Sequence, residues 1–286
     1  MFGDSEHNTH IIRVNGKLMD LSVPRVMGIL NITPDSFYEG CRSVDTDSIV
    51  RRADTILSEG AELIDLGAYS SRPGADDVSE EEEILRLRTA LDVLKIRYPS
   101  ALFSIDTFRS KVAEVCVKEY QAAMINDISG GEMDSRMFET VAKLQVPYIL
   151  THIQGTPQSM QKAPTYENLR REVLIDFSKK VKQLRDLKVN DIILDPGFGF
   201  GKTLEHNYEL MAHLDDLQMF NLPLLVGVSR KSMIYKLLGT DPQGSMNGTT
   251  VLNTVSLLKG ANIIRVHDVR EAVEAVRIVS ALRKTF

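Results

Sequence analysis

Short apolar runs alternate along the chain with longer stretches in which apolar residues recur every three or four positions. Short apolar runs between polar or glycine residues are typical of strands that are buried on both faces of a parallel sheet. The longer stretches have the spacing of amphipathic helices. The predicted strands cover residues 26–32, 63–66, 102–105, 124–128, 148–150, 192–194, 224–228 and 263–266. The predicted helices begin with 46–59 and one starting near 79, and continue with 109–120, 133–144, 165–188, 203–218, 230–238, 245–259 and 268–284.

This alternation of strands and helices is a repeated βαβ pattern, which favours an α/β fold with a parallel sheet. Eight predicted strands favour a closed (β/α)8 TIM barrel over an open, doubly wound sheet. Ahead of them, Asn15-Gly16 separates two short apolar runs and predicts a β-hairpin at one end of the barrel. Composition does not shift along the chain. We therefore predict an N-terminal extension and hairpin at 1–24 and a single barrel domain at 25–286.

Composition restricts the class of protein. Charged residues make up 26% of the 286 residues and the formal net charge is −5, which argues against general nucleic-acid binding. Cys41 and Cys116 are the two cysteines, so the chain has no disulfide framework or zinc finger and fits a reducing compartment. The first ten residues lack the features of a signal peptide, and no apolar run approaches the roughly 18 residues of a membrane span. These features predict a cytoplasmic protein without a membrane partner.

Polar residues follow the predicted strands. In a barrel of parallel strands, the active site lies where the strands end. Every predicted strand ends in polar groups, which is more than helix capping and loop entry account for. These residues are Asn31, the segment 67–72, Asp106, Asn126, Asp127, His152, Asp195, the segment 229–231 with Ser229 and Lys231, Arg265 and His267.

Alternation along a strand places Arg265 and His267 on the same face. Together they predict an anion clamp, because an arginine fork matches phosphate geometry. The alternative for Arg265 is a structural ion pair with an acidic side chain. The phase that sends Gly67 inward also sends Asp65 into the barrel, where a buried acid requires a partner. We interpret Asp65 as a support for its neighbours.

Asp106, Asp195 and Asn126 form a second group. They could hold a metal ion, act as acid and base, or bind a heterocycle rich in N–H groups, such as a 2-aminopyrimidinone ring. Mg²⁺ remains possible because it uses few protein ligands together with phosphates and water. Lys231 adds a positive charge at the same end of the barrel. Ser229 is predicted to cap the following helix, whose N-terminus would help to bind an anion.

The stretch IILDPGFGFGKT (192–203) resembles phosphate-binding loops but matches neither common motif. A Walker A loop requires glycine at 196, which is proline, and the dinucleotide fingerprint requires glycine at 202, which is lysine. Residues 197–201, called the glycine loop below, are interpreted as a turn between a strand and a helix. Segments 33–37 and 70–74 have the composition of turns, and each could instead form a lid.

Eight motifs together resemble the dihydropteroate synthase family of pterin-binding enzymes. They occur in the order of the family and extend over most of the chain. They are MGILNITPDSF (27–37), SSRPG (70–74), SIDTFR (104–109), INDISGG (125–131), HIQGTP (152–157), LDPGFGFGKT (194–203), GVSRKS (227–232) and RVHDV (265–269).

The resemblance implies an enzyme of folate biosynthesis. It would condense 6-hydroxymethyl-7,8-dihydropterin diphosphate with 4-aminobenzoate, through a pterin carbocation that forms when diphosphate leaves. The family is usually homodimeric and is inhibited by sulfonamides that mimic 4-aminobenzoate. Asn31 would be a ligand of Mg²⁺, and Lys231, Asp106 and Asp35 would take part in catalysis.

The resemblance also assigns the substrate-binding residues. Asp106, Asn126, Asp195 and Lys231 would line the pterin pocket. Asn31, Arg265 and His267 would hold the diphosphate. Asp35 and Phe37 would belong to a mobile loop over the substrates. The residues implied around 4-aminobenzoate are Ser71, Arg72, Phe200 and Ser229.

The chain departs from the family pattern at Tyr69, where glutamate is usual, and at Ser71, where threonine is usual. Its HIQG also replaces the commoner HMQG. One alternative function is a methyltetrahydrofolate:corrinoid methyltransferase, and another is a pterin-binding relative without catalysis. The glycine loop, SRKS and RVHDV favour the synthase over the methyltransferase.

Overall fold

The computed structural model describes residues 10–32, 45–69, 78–155 and 164–283. Strands β1 (Ile11–Val14) and β2 (Lys17–Asp20) form an antiparallel hairpin, as predicted. Its turn residues Asn15 and Gly16 have φ values of 47° and 77°, the left-handed conformation that two-residue hairpin turns require. Buried hairpin side chains pack against the inward-facing residues at the beginnings of the barrel strands. The hairpin therefore covers the amino-terminal end of the barrel.

Eight parallel strands form a nearly closed barrel in the order β8-β7-β6-β5-β4-β3-β10-β9. A backbone bridge between Leu194 and Leu224 joins the two end strands. The predicted (β/α)8 architecture is thus confirmed. The strands are β3 (Arg25–Asn31), β4 (Leu63–Gly67), β5 (Leu102–Asp106), β6 (Met124–Asp127), β7 (Tyr148–Thr151), β8 (Ile192–Asp195), β9 (Leu225–Val226) and β10 (Ile263–Val266).

Helices follow the barrel strands. They are α1 (Thr46–Ser58), α2 (Glu80–Arg97), α3 (Ser110–Tyr120), α4 (Met137–Leu144), α5 (Leu169–Asp186), α6 (Leu204–Ala212), α7 (Ser232–Leu238), α8 (Met246–Leu258) and α9 (Val269–Arg283). The single helix predicted over 203–218 is wrong. It is divided into α6 and a 3₁₀ helix, Leu214–Phe220, whose buried Leu214 and Leu217 are three positions apart, the spacing that one face of a 3₁₀ helix repeats. Within the described ranges, each helix is too short or too polar to cross a bilayer.

The barrel interior changes from apolar to polar toward the carboxyl ends of the strands. Met27, Leu63 and Ile193 fill the amino-terminal half together with the hairpin. Nearer the carboxyl ends, Asp65 pairs in register with Ser104, and both side chains are buried. Because side chains alternate along a strand, the residues next to Asp65 and Ser104 face outward, into the core beneath the helices. The fold thus creates a polar layer directly beneath the rim, defined here as the carboxyl ends of the eight strands.

Candidate active site

The rim brings together most of the described strand-end residues that the sequence singled out, but not Asp127, which bonds to Ser129 and Tyr148, or His152, whose ring lies beside Phe177 and Lys202. Gly67 lies between Asn31 and Asp106. A Cβ atom built on it would lie 3.5 Å from Asn31 Oδ1 and 3.6 Å from Asp106 Oδ2. The predicted inward phase of Gly67 is therefore confirmed. Its missing side chain leaves space between an amide oxygen and a carboxylate.

Arg265 connects two acids across the barrel mouth. Its Nε donates to Asp65 Oδ2 at 2.6 Å, and its Nη2 donates to Asp106 Oδ2 at 2.7 Å. Asn126 Nδ2 donates to the same Asp65 oxygen at 2.9 Å. Asp65 thus supports its neighbours as predicted, and Arg265 forms the ion pairs that the sequence left as its alternative role. Asn126, Asp65, Arg265 and Asp106 form one continuous chain of hydrogen bonds, called the rim network below.

Several polar atoms in this layer are buried without a hydrogen-bond partner among the described residues. They are Asp65 Oδ1, Asn126 Oδ1 and Ser104 Oγ. A buried polar atom without a partner costs about 1–3 kcal/mol, so such atoms normally meet water or a ligand. The layer can therefore accept hydrogen bonds from a molecule that carries N–H groups.

The carboxyl groups of Asp106 and Asp195 both have raised pKa values. Burial raises the pKa of Asp106 to about 7, and the nearby Arg265 guanidinium acts in the opposite direction. Burial also raises the pKa of Asp195, against the nearby Lys231 ammonium. The Gly197 amide donates to Asp195 Oδ1 at 2.8 Å, which fixes the carboxylate at the end of β8. A carboxyl group that titrates near neutrality, as Asp106 does, is suited to exchange protons.

Lys231 lies over the glycine loop. Its Nζ donates to the Phe198 carbonyl at 2.6 Å and lies 4.4 Å from the centre of the Phe200 ring. Burial lowers the pKa of Lys231 to about 8, while Asp195 acts to raise it. The ammonium therefore remains charged at neutral pH and is held between an acid, a carbonyl and an aromatic face.

Ser229 contacts His267 rather than a helix end. The predicted capping role of Ser229 is wrong, because α7 begins three residues later and its N-cap residue, Lys231, makes no side-chain capping bond. Instead, Ser229 Oγ accepts a hydrogen bond from the His267 amide at 3.1 Å and lies 3.2 Å from His267 Nδ1. Burial, reinforced by Arg265, lowers the pKa of His267 to about 4, so the imidazole is neutral at pH 7.

Two arginines without a predicted role, Arg230 in the segment 229–231 and Arg52 on α1, hold these strand ends. The Arg230 guanidinium makes a two-point ion pair with Asp268, at 3.0 Å and 2.6 Å. Arg52 donates to the His267 carbonyl at 2.7 Å. Arg230 directly precedes Lys231, and Asp268 directly follows His267. Because successive side chains of an extended segment face opposite sides, these positions indicate in the sequence that Arg230 and Asp268 point outward.

The glycine loop lies directly on the backbone that follows β7. Gly197 and Gly201 have φ values of 68° and 61°. A Cβ atom on Gly197 would lie 1.9 Å from the His152 carbonyl oxygen, and one on Gly201 would lie 2.4 Å from that of Gln154. The two glycines are therefore required by backbone conformation and by close approach.

Gly197→Ala is expected to destabilise the protein. The left-handed conformation alone costs alanine about 1–2 kcal/mol, and the clash with the His152 carbonyl adds to it. Urea unfolding monitored by circular dichroism measures the change. Gly239→Ala is the matched control, because Gly239 has a φ of 65° but nothing within 4 Å of its Cβ position. Equal losses of stability in the two variants would contradict the close approach.

Three predicted site residues, Asp35, Ser71 and Arg72, lie outside the described residues, as do Phe37 and Cys41. Tyr69, the departure nearest to them, packs edge-on against Phe108 with ring centres 5.0 Å apart, and lies 5.5 Å from the Arg109 guanidinium carbon. An aromatic contact thus occupies the position where the family usually has glutamate.

Comparison with known proteins agrees with this geometry. The family model for pterin binding enzymes matches residues 27–267. The dihydropteroate synthase of Escherichia coli (strain K12) is 42% identical over 268 residues, covering 93% of this chain and 94% of that protein. The dihydropteroate synthase of Haemophilus influenzae is 36% identical, covering 93% and 97%.

Solved structures agree as well. The Yersinia pestis dihydropteroate synthase in a sulfonamide drug complex has a TM-score of 0.89 and 42% identity, covering 96% of this chain and all of that one. The Xanthomonas albilineans dihydropteroate synthase with 4-aminobenzoic acid has a TM-score of 0.88 and 33% identity, covering 96% and 98%. The chain belongs to the dihydropteroate synthase family of pterin-binding enzymes.

Proposed function

We propose that the protein condenses 6-hydroxymethyl-7,8-dihydropterin diphosphate with 4-aminobenzoate to give 7,8-dihydropteroate and diphosphate. The rim network is the observation that carries this proposal. It joins acceptors suited to the N–H groups of a pterin directly to a guanidinium suited to a diphosphate. The similarity to a dihydropteroate synthase bound to 4-aminobenzoic acid supports the choice of second substrate.

In this proposal, the pterin ring lies in the polar layer beneath the rim. Asp195 and Asp106 accept hydrogen bonds from the ring N–H groups. Asn126 Oδ1, which has no partner among the described residues, is a further acceptor. Lys231 donates to the acceptor edge of the ring. Each assignment matches the donors or acceptors that the side chain offers.

The diphosphate is assigned to Arg265, His267 and Asn31. Arg265 supplies the positive charge, and neutral His267 supplies one N–H group. The described residues contain no group of three or more acidic, histidine or cysteine side chains arranged for a metal. Asn31 nevertheless fits Mg²⁺, because its amide oxygen faces the mouth and Mg²⁺ is often bound by one or two protein ligands plus substrate phosphates. When bound, the ion would neutralise charge on the diphosphate oxygens.

The chemistry separates into departure and attack. The bond between the pterin methylene carbon and the diphosphate oxygen breaks, and its electron pair leaves with the diphosphate. The amine nitrogen of 4-aminobenzoate then bonds to the methylene cation, and the proton that it loses passes to the departed diphosphate. Arg265 and Lys231 stabilise the changing charges, and Asp106 and Asp35 are the assigned catalytic acids.

The aminobenzoate is assigned to the outer part of the mouth. Phe200 and Ser229 flank the entrance beside Lys231 and His267. Ser71 and Arg72 complete the assigned set. Because sulfonamides mimic 4-aminobenzoate, a sulfonamide should compete with it at this position.

His267 should respond to the diphosphate. Its pKa is about 4 because of burial and Arg265, so bound negative charge should raise that pKa. An NMR titration of the imidazole with and without inorganic diphosphate measures the change. His206 on α6, which bonds to Thr203, serves as an internal reference. A His267 resonance that does not move with diphosphate would contradict its assigned contact.

The assembly is proposed to be a homodimer that operates in the cytoplasm. Exposed apolar side chains on three consecutive helices, α7, α8 and α9, support the dimer, since a partner subunit would cover them. Light scattering tests the oligomeric state. The exposed apolar side chains on these three helices are Leu237, Leu238, Met246, Val251, Leu258, Ile278 and Leu282.

A coupled assay of diphosphate release tests the function. The purified protein is supplied with the pterin diphosphate, 4-aminobenzoate and Mg²⁺, and product is identified as dihydropteroate by mass spectrometry. Absence of turnover would overturn the proposal. Tight pterin binding without product would favour the non-catalytic alternative, and methyl transfer from methyltetrahydrofolate would favour the methyltransferase.

A further inference from the structure

Lys202 is the residue of the phosphate-loop-like stretch to which the proposed function gives no task. Its side chain turns inward and is 4% exposed. Its Nζ lies 2.9 Å from the Gly197 carbonyl oxygen, 3.1 Å from that of Phe200 and 3.3 Å from that of His152. His152 Nδ1 is a fourth neighbour at 3.0 Å. A buried ammonium is thus surrounded by backbone carbonyls and a ring nitrogen, without an ion pair among the described residues.

These carbonyls belong to two separate pieces of chain. Those of Gly197 and Phe200 belong to the glycine loop, and that of His152 follows β7. The loop approaches this second piece so closely that neither Gly197 nor Gly201 has room for a side chain. Lys202 therefore joins the two pieces at the place where they touch.

The protonation state of His152 allows it to accept a hydrogen bond from Lys202. Burial, together with Lys202 and Lys180, holds the pKa of His152 well below its ordinary range. The imidazole is therefore neutral, and Nδ1 can accept a hydrogen bond. Burial lowers the pKa of Lys202 to about 7, while Asp195 acts to raise it. The three carbonyl oxygens favour the ammonium further, since a protonated amine has three N–H groups to donate.

The glycine loop also contacts Lys231. The Phe198 carbonyl accepts from Lys231 Nζ, and the Phe200 ring lies under the same ammonium. Asn207 on α6 holds the loop between these contacts, accepting from the Gly199 amide at 2.7 Å. The position of the Lys231 ammonium therefore depends on the conformation of the loop.

We propose that Lys202 is a positioning residue, an internal cation that holds the glycine loop against the segment after β7 and so sets the positions of Lys231 and Phe200 for the reaction. The inference rests on the proposed function. In this proposal Lys202 has no direct contact with a substrate, because it is buried and its hydrogen bonds go to His152, Gly197 and Phe200. Its charge acts by ordering backbone carbonyls, as a bound monovalent cation would.

Lys202→Ala combined with chemical rescue tests this role. Alanine lacks three methylene carbons and the ammonium, which are the atoms of n-propylammonium. We expect kcat/KM to fall about 100-fold, as expected when a catalytic group is misplaced by about 1 Å. The KM values for both substrates should rise, because Lys231 and Phe200 move together. Added n-propylammonium should restore activity toward the wild-type value, and n-propanol, of similar size but neutral, should not.

A second pair of variants covers the case in which the alanine variant does not fold. Lys202→Arg keeps a cation and Lys202→Met keeps the length without charge, so the arginine variant should retain lower KM values. Lys180→Met is the matched control. Lys180 is also buried but pairs with Glu132 and Asp176, so its loss should reduce stability and leave both KM values unchanged.

The outcomes separate this inference from the proposed function. Failure of the wild-type protein to turn over would remove the proposed function. A normal wild type, with equal KM values in the arginine and methionine variants, would overturn the role of Lys202 alone. Equal rescue by n-propylammonium and n-propanol would also overturn it, because packing rather than charge would then account for the defect.

Discussion

Lys231→Ala is expected to reduce kcat/KM for the pterin diphosphate by about 10²–10³-fold, the usual loss when one oriented group that stabilises developing charge is removed. Lys231 Nζ is held by the Phe198 carbonyl and the Phe200 ring, so the ammonium is oriented before substrate binds. Alanine cannot donate to the pterin or offset charge on Asp195. Steady-state measurement of diphosphate release gives the change directly.

The pH profile makes this prediction more specific. Since the pKa of Lys231 is about 8, raising the pH through 8 removes the ammonium proton, and wild-type kcat/KM should fall on that side. The alanine variant should lack this decrease. Lys236→Ala, an exposed lysine on the same helix, is the control and should keep wild-type kinetics. Wild-type kinetics in Lys231→Ala would remove Lys231 from the mechanism.

Most of the fold could be predicted because barrel strands are buried on both faces and therefore form uninterrupted apolar runs. Two errors have local causes. The pattern over 203–218 does not distinguish an α-helix from α6 followed by a 3₁₀ helix, since both place apolar residues three apart. The strand predicted over 224–228 is reduced to Leu225–Val226, and Leu224, whose amide donates to the Asn262 side chain at 2.9 Å, pairs with Leu194 only as an isolated bridge.

The sequence predicted which side chains meet at the rim, but not their contacts. The rule that parallel strands bring their carboxyl ends to one rim predicted that Asp106, Asn126 and Arg265 lie close together, and the rim network confirms it. The bond from Arg265 to Asp65 joins residues 200 positions apart, and no local pattern encodes it. The burial of Lys202 could not be predicted for another reason. A lysine just before a helix is normally exposed, and only the three-dimensional arrangement reveals the surrounding carbonyls.

Arg265→Ala is expected to weaken both stability and substrate binding. Its guanidinium is the cation that contacts Asp65, which is fully buried, and Asp106, whose side chain is 20% exposed. Removing one partner of a buried ion pair costs about 3–5 kcal/mol, because the remaining charge is not compensated. We expect about 3 kcal/mol, since Asp106 is partly solvated. The KM for the pterin diphosphate should rise about 10–100-fold through loss of a charged hydrogen bond.

The loss of stability should depend on pH. The pKa of Asp106 is already raised to about 7, and Arg265 is the group that acts to lower it. Without Arg265 the folded-state pKa rises further above the unfolded value of about 4. The folded variant then binds more protons than the unfolded chain, so its stability falls as the pH rises from about 4 through 7 and beyond. Urea unfolding at pH 5 and pH 8 should therefore show the larger defect at pH 8.

A double variant separates the structural role of Arg265 from its role in binding. Arg265→Met with Asp65→Asn removes one positive and one negative charge together and should recover part of the lost stability. It should not recover the KM, because diphosphate still lacks its guanidinium. Arg265→Lys keeps the charge but cannot reach both acids with one planar fork, so an intermediate KM is expected. An alanine variant that is as stable as the wild type at pH 8 and has an unchanged KM would contradict both roles.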